Sequence, residues 1–300
     1  MNKHSIQLQK VEQLAGAGKL SRLLHTPARY LYAMMLSKCI YPLTHKGVLK
    51  NAPLFFGGEM QVLLPAATDI YLAGGKTHSS EIRLAKFMIN KLQPGDCFLD
   101  IGAHFGYFTL LAASLVGDNG KVYAVEPASE TYALLQQNTA VWNNIKLFHK
   151  AVSDKTGMVS FYEFPVRYSE YNTLDVEKFL KEDWIKKYNP QKTEVQATTI
   201  DGFLDENKLN PAMIKIDVEG AEVQAIYGGA HTWQGQSPVL IMEYLDEGNE
   251  SSYTRAAAAM YGYGYQSYMI TDDGKLAETS DILSYMRQHD MTSENIVFKK

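Results

Sequence analysis

The sequence predicts a doubly wound α/β fold on a mostly parallel sheet, and two observations carry that prediction. From Asp96 onward, short apolar runs alternate with longer stretches of helical periodicity, the order that buries a parallel sheet between two helical layers. At the start of that alternation the apolar run Phe98-Leu99-Asp100-Ile101 turns into a helical pattern through Gly102 and Gly106. A first strand hands the chain to its helix in this way.

Strands are expected over 97–100, 122–125, 145–148, 213–216 and 239–242, and helices over 106–116, 129–142, 221–227 and 251–261 sit in the crossover positions between them. Residues 157–200 interrupt the rhythm with a strand-like 158–164, a polar aromatic loop 167–172, a helix-like 176–187 and a strand-like 194–198. An insertion of this kind beside a core often carries specificity. The tail, with a turn at Asp272-Asp273-Gly274 and a closing strand over 295–299, predicts an antiparallel edge. Residues 1–92 read as an N-terminal helical appendage with short strands, and 93–300 as the main domain. Within the appendage, helices between about 5 and 45 are punctuated by Pro27 and Pro42, strands over 59–64 and 69–72 flank Pro65, and a helix over 81–92 ends at Pro94-Gly95.

With 46% hydrophobic and 21% charged residues, the chain can bury a core without metals or disulfides. Its 29 Lys and Arg against 33 Asp and Glu leave no basic footprint for a phosphate backbone, so nucleic acid is not the expected partner. Cys39 and Cys97 form neither a disulfide framework nor a CxxC pair, which fits a reducing cytoplasm. The N-terminus lacks a signal-peptide pattern, and 30–43 is too short and too polar to span a bilayer. Arg22, Arg29 and Lys38 beside Leu23, Leu24, Leu31, Met34, Met35 and Leu36 have the composition of an interfacial helix, but packing against the main domain is the expected use. The GAGKL run at 16–20 lacks the spacing of a phosphate-binding loop.

Gly102 permits a tight turn after the first strand and a close backbone approach to a ligand, and Gly106 lets the helix start close to the sheet. That helix start offers unpaired N–H groups to an anion, while Asp100, at the strand's C-terminal edge, is placed to accept from a ligand ammonium. Glu126, ending the second strand before Pro127, stands where this fold places its ribose-reading acid. A glycine turn also suits NAD. Here, however, it is GxxxG after an acid instead of GxGxxG, which favours S-adenosylmethionine.

At these residues the sequence resembles the FkbM family of methyltransferases. The likeness runs from Phe98 through Tyr244, and the block 214–222, Ile-Lys-Ile-Asp-Val-Glu-Gly-Ala-Glu, is its most distinctive part. The resemblance implies a class I, Rossmann-like methyltransferase and O-methylation of a small-molecule or glycan acceptor: a hydroxyl on a sugar, a glycan or a polyketide-like metabolite. The cofactor candidates are Asp100, Gly102, Ala103, His104, Gly106, Glu126, Pro127, Ala151 and Asp217. His104 departs from the family, whose members commonly carry an amide there.

Methyl transfer is an in-line displacement, so the protein aligns the acceptor and takes its proton. Asp217 and Glu243 end the fourth and fifth strands, where ligands bind in open α/β sheets; Asp217 is the base candidate and Lys215 its neighbour on the same face. Glu219 either binds substrate or caps the following helix, and Tyr168 and Tyr171 are acceptor-side candidates on the insertion. Asp217, Glu219 and Glu243 have the oxygen donors of a Mg²⁺ site, but a metal is not favoured. Two other functions compete: an NAD-type oxidoreductase, and a cofactor-binding module without catalysis.

Overall fold

The computed structural model describes residues 3–176, Ile185 and 189–300. Four helices open the chain: α1 (Lys3–Gly16), α2 (Lys19–His25), α3 (Pro27–Met35) and α4 (Tyr41–Thr44). Pro27 sits in the first turn of α3, where a missing N–H has no partner to lose. Pro42 does not break the segment: a π-helical stretch over Leu36–Ile40 carries α3 into α4 and leaves Pro42 in the first turn of α4. An antiparallel hairpin of β1 (Val48–Pro53) and β2 (Glu59–Leu64) follows.

The strand expected over 69–72 is instead a short helix, α5 (Thr68–Ala73). The apolar run Ile70-Tyr71-Leu72 imitates a strand, but Gly74 at φ +73 turns its N–H back onto the Ile70 carbonyl and closes a helical turn. Helix α6 (Ser79–Lys91) ends just before Pro94, as expected.

The core strands and helices then alternate. They are β3 (Cys97–Ile101), α7 (Tyr107–Val116), β4 (Lys121–Val125), α8 (Ser129–Thr139) and β5 (Ile145–Phe148). The insertion supplies β6 (Ala151–Val152), β7 (Gly157–Glu163) and β8 (Gln191–Thr198), which form a separate three-stranded sheet. Between β7 and β8, the segment Val166–Tyr171 is a short 3₁₀ helix; the helix predicted over 176–187 lies outside the described residues. The chain continues through α9 (Ile200–Asn207), β9 (Met213–Ile216), α10 (Glu222–Tyr227), α11 (Ala230–Gln234), β10 (Val239–Leu245) and α12 (Ser252–Gly262). It closes with β11 (Gln266–Ile270), β12 (Leu276–Thr279), α13 (Ile282–Gln288) and β13 (Ser293–Lys299).

The main sheet has eight strands in the order β12-β11-β13-β10-β9-β3-β4-β5. Pairs from β5 through β10 are parallel, and β13 runs antiparallel between β10 and β11. This is the class I methyltransferase architecture, with β12 as an added edge. Alternate residues of each strand feed opposite cores. Phe98, Val122, Met213 and Ile241 pack in the same layer as α6 and α7, whereas Leu99, Ile101, Ile214, Ile216 and Met242 pack with α9, α10, α12 and α13. Leu8, Val11, Ala33 and Leu36 of the N-terminal helices join the first of these clusters, so that segment shares a core with α7. Strand order reverses between β3 and β9, which opens a crevice beyond their C-terminal ends.

Candidate active site

Sheet register brings the predicted charged residues together. Asp100 in β3 pairs directly with Lys215 in β9, so their side chains leave the same face of adjacent strands. Asp217 is two residues further along that face, and Glu243 follows the Met242–Ile216 pair in the neighbouring strand. Lys215 is 2% exposed; its Nζ donates to Asp217 Oδ2 at 2.9 Å, lies 3.9 Å from Asp100 Oδ1 and sits 5.4 Å from the Phe108 ring centroid. Burial opposes the ammonium, but Asp217 and Asp100 outweigh it and hold its pKa above the ordinary value. Asp100 is driven up by burial; its Oδ2 accepts from Thr109 Oγ1 at 2.6 Å, while Oδ1 is buried without a hydrogen-bond partner.

The two strand-end carboxyls titrate in opposite directions. Asp217 is itself opposed by burial, yet Lys215 and a hydrogen bond from Glu243 pull its pKa below the usual carboxylate value. Glu243 is raised well above it by burial and by the charges of Asp217, Glu219 and Glu222, so of the pair it holds its proton to the higher pH.

Gly102 adopts φ +78, and its closest constraint is protein backbone: a Cβ there would stand 1.8 Å from the Asp217 carbonyl oxygen. The glycine therefore lets the loops after β3 and β9 touch. At Gly106, φ +93, a Cβ would meet the Leu135 Cδ1 methyl at 2.6 Å, consistent with close helix–sheet packing. His104 also takes a left-handed conformation, φ +50, which Asn adopts most readily and His tolerates; this accounts for an amide being common there. Its Nε2 lies 3.2 Å from Ser169 Oγ, joining the loop after β3 to the insertion. Burial pushes its pKa down to about 3, so the ring is neutral.

Glu126 is held by two backbone groups: His104 N–H donates to Oε2 and Ala128 N–H to Oε1, both at 2.9 Å. Each oxygen retains capacity for a second donor, which is what a ribose diol supplies. Burial nevertheless raises Glu126 to about 7. Because an acceptor-only carboxylate is required, a ribose-bearing ligand is expected to bind more tightly as pH rises from about 6 to about 8, and Glu126→Gln to flatten that dependence. Glu126→Ala is expected to weaken binding roughly 10- to 150-fold. Calorimetric titration at both pH values checks both outcomes; affinity unchanged in Glu126→Ala would remove Glu126 from the site.

Asp100, Gly102, Ala103, His104, Glu126, Pro127, Ala151, Lys215, Asp217, Glu219, Glu243 and Tyr171 line one cavity of about 530 Å³. Gly106 and Tyr168 do not; Tyr168 packs behind Tyr171 with ring centroids 6.3 Å apart. The N-cap of α10 is Ala221, which offers no side-chain cap; fully buried Glu222 instead ties down the turn after β9, accepting from Gly220 N–H at 3.0 Å and Val218 N–H at 3.2 Å. Glu219, at φ +53, presents its carbonyl to Thr173 Oγ1 of the insertion at 2.7 Å. One carboxylate oxygen from each of Asp217, Glu219 and Glu243 lies within 4.8 Å of the others, but Asp217 is already engaged by the Lys215 ammonium and the pKa of Glu243 is raised by burial and its acidic neighbours. This donor set is poorly prepared for a divalent ion.

The cavity also contains residues that the sequence pattern did not flag. Asp69 and Ile70 of α5, and Lys76, His78 and Glu81 at the approach to α6, form one wall. Lys76 pairs with Glu81 and lies 6.0 Å from the Phe108 ring centroid. Asp69 Oδ2 accepts from Thr77 N–H at 3.2 Å and fixes the turn that presents Lys76. A concentration of polar residues after Gly74-Gly75 was the available clue.

The Methyltransferase FkbM domain matches residues 100–290. A curated relative, the protein-L-isoaspartate O-methyltransferase of Methanococcoides burtonii, is 32% identical over 106 residues, which is 34% of this chain. The chain spans about half, 52%, of that relative's length. Among solved structures, a methyltransferase FkbM from Methylobacillus flagellatus is 14% identical with a TM-score of 0.42, covering 70% of this chain and 44% of that one. A SAM-dependent O-methyltransferase from Thermotoga maritima is 13% identical with a TM-score of 0.40, covering 84% and 77%. With its family domain spanning the glycine turn, Glu126 and the strand-end carboxyls, the chain belongs to the FkbM methyltransferase family.

Proposed function

We propose that this protein is an S-adenosylmethionine-dependent O-methyltransferase acting on a hydroxyl of a sugar, glycan or secondary metabolite. The observation that carries the reading is the charge of the cavity. Among the described residues, and setting aside Glu243 with its strongly raised pKa, Asp69, Glu81, Asp100, Glu126, Glu170, Asp217 and Glu219 line it against Lys76, Lys150 and Lys215. Such a wall attracts a ligand bearing an ammonium and a sulfonium and repels the pyrophosphate of NAD. The same charge disfavours phosphorylated acceptors, leaving neutral or amine-bearing polyols.

The residues present fit that cofactor: Asp100 Oδ1 is buried without a hydrogen-bond partner, 3.9 Å from Lys215, and can accept from an ammonium, and Glu126 is preset for a ribose diol. S-adenosylmethionine, when bound, supplies a methyl group on a positively charged sulfur. Asp217, steadied by Lys215, accepts a hydrogen bond from the acceptor hydroxyl and orients its oxygen lone pair. A carboxylate with a depressed pKa is a weak base toward a neutral alcohol. The oxygen becomes strongly acidic only as it is alkylated, so Asp217 takes its proton late. Tyr171, Glu219 and the α5 wall shape the acceptor side.

A panel of neutral saccharides, amino sugars and hydroxylated metabolites, incubated with isotopically labelled S-adenosylmethionine, tests the proposal. The expected product is a methyl ether on a neutral or amine-bearing hydroxyl compound. Label transferred only to carboxylates or to amide nitrogen would contradict it.

A further inference from the structure

We propose that the outer face of the N-terminal helices docks onto the surface of an anionic phospholipid bilayer. Helix α3 and its continuation into α4 bury one side against the core through Ala33, Leu36 and Tyr41. The opposite side would ordinarily be polar; here Leu31 is 53% exposed, Met35 47% and Leu43 84%, with Lys38 exposed among them at helical spacing. Helix α2 repeats the pattern one turn apart at Leu20 and Leu24, both about 70% exposed.

The charge of this layer differs from that of the rest of the chain. Residues 1–58 contain eight Lys or Arg and a single acid, Glu12, whereas the remainder contains 21 against 32. Exposed apolar side chains among basic ones suit the headgroup boundary, where lysines meet lipid phosphates and Leu or Met enter the acyl region. A second copy of the chain would bring like charges together, and nucleic acid would leave the Leu and Met side chains without an apolar partner. No helix among the described residues is long and apolar enough to cross a membrane, and the proposal concerns a surface contact.

The layer also reaches the active-site wall. Arg29 of α3 stacks 5.3 Å from the Tyr71 ring centroid and donates to the Tyr71 carbonyl at 3.4 Å, and Tyr71 belongs to the helix that contributes Asp69 and Ile70 to the cavity.

Co-sedimentation of the full chain with phosphatidylcholine vesicles, with and without about one-third phosphatidylglycerol, tests this at low and high salt. Binding is expected only to the anionic vesicles and is expected to weaken with salt. Lys38→Glu with Lys46→Glu should reduce partitioning at least roughly 25-fold, since each basic residue contributes about fivefold. Leu24→Ser with Leu31→Ser and Met35→Ser should abolish it; these side chains are exposed, and an unchanged melting curve verifies the fold. Equal binding to neutral and anionic vesicles, no binding to either, or full binding by the folded variants would overturn the proposal. So would a dimer in light scattering that the apolar triple variant dissolves, because the face would then join two copies.

Discussion

Valine at position 102 is expected to abolish cofactor binding and to lower stability by roughly 3–5 kcal/mol. The effect is large because two costs combine at one residue. Gly102 holds φ +78, a region closed to β-branched side chains, and its Cβ position lies 1.8 Å from the Asp217 carbonyl oxygen and 2.8 Å from the carbonyl carbon. Neither partner is a flexible side-chain end; relief requires the loops after β3 and β9 to separate, and those loops carry the proposed cofactor turn and the proposed base. A chain of this size should lose roughly 6–15 °C of melting temperature. Gly106→Ala provides the contrast, because its added carbon meets a movable leucine methyl, although φ +93 still adds strain. Thermal melts with and without S-adenosylhomocysteine should show a ligand-induced rise in wild type and none in Gly102→Val. A Gly102→Ala protein that binds as wild type does would refute the close-contact explanation.

Asp217→Asn is expected to reduce the rate of methyl transfer by about 10²–10⁴ while changing cofactor affinity little. The amide keeps the shape of the carboxylate but neither takes the acceptor's proton nor balances Lys215, which is 2% exposed and donates to Asp217 at 2.9 Å. Removing that charge also removes one of the causes holding Glu243 high, so Glu243 ionises at lower pH in the variant. Residual activity should therefore rise with pH as Glu243 loses its proton, a dependence that wild type lacks in the same range. Single-turnover rates across pH measure both effects, and a normal rate in Asp217→Asn would take this residue out of the chemistry.

The parts of this fold legible in the sequence are those written locally. Strands buried on both faces appear as short apolar runs, so Cys97–Ile101 and Met213–Ile216 are found almost to the residue. The Gly102 turn and Glu126 are legible because strand ends in a doubly wound sheet have fixed jobs. What Gly102 approaches was not: the sequence suggested a ligand, and the structure places the Asp217 carbonyl there.

Long-range packing was hidden as well. Residues 66–81 read as part of an appendage, yet α5 and the Lys76–Glu81 pair form a cavity wall, a consequence of tertiary docking that no periodicity records. Ile70-Tyr71-Leu72 looked like a strand until Gly74 closed it as a helix. That Glu222 folds back to accept from Val218 and Gly220 N–H belongs to the left-handed turn at Glu219 and Gly220, which no local pattern records. The opposite titration of Asp217 and Glu243 likewise requires knowing that Lys215 hydrogen-bonds Asp217 whereas Glu243 faces Asp217, Glu219 and Glu222.

We propose that the acid-lined crevice between β3 and β9 receives S-adenosylmethionine, and calorimetric titration of the wild-type protein decides it. Titrated in parallel with S-adenosylmethionine, S-adenosylhomocysteine and NADH, the protein is predicted to give saturable one-to-one heats with the first two and none with the dinucleotide, whose pyrophosphate would enter a cavity lined by Asp100, Glu126 and Asp217. NADH binding more tightly than S-adenosylmethionine would contradict the account.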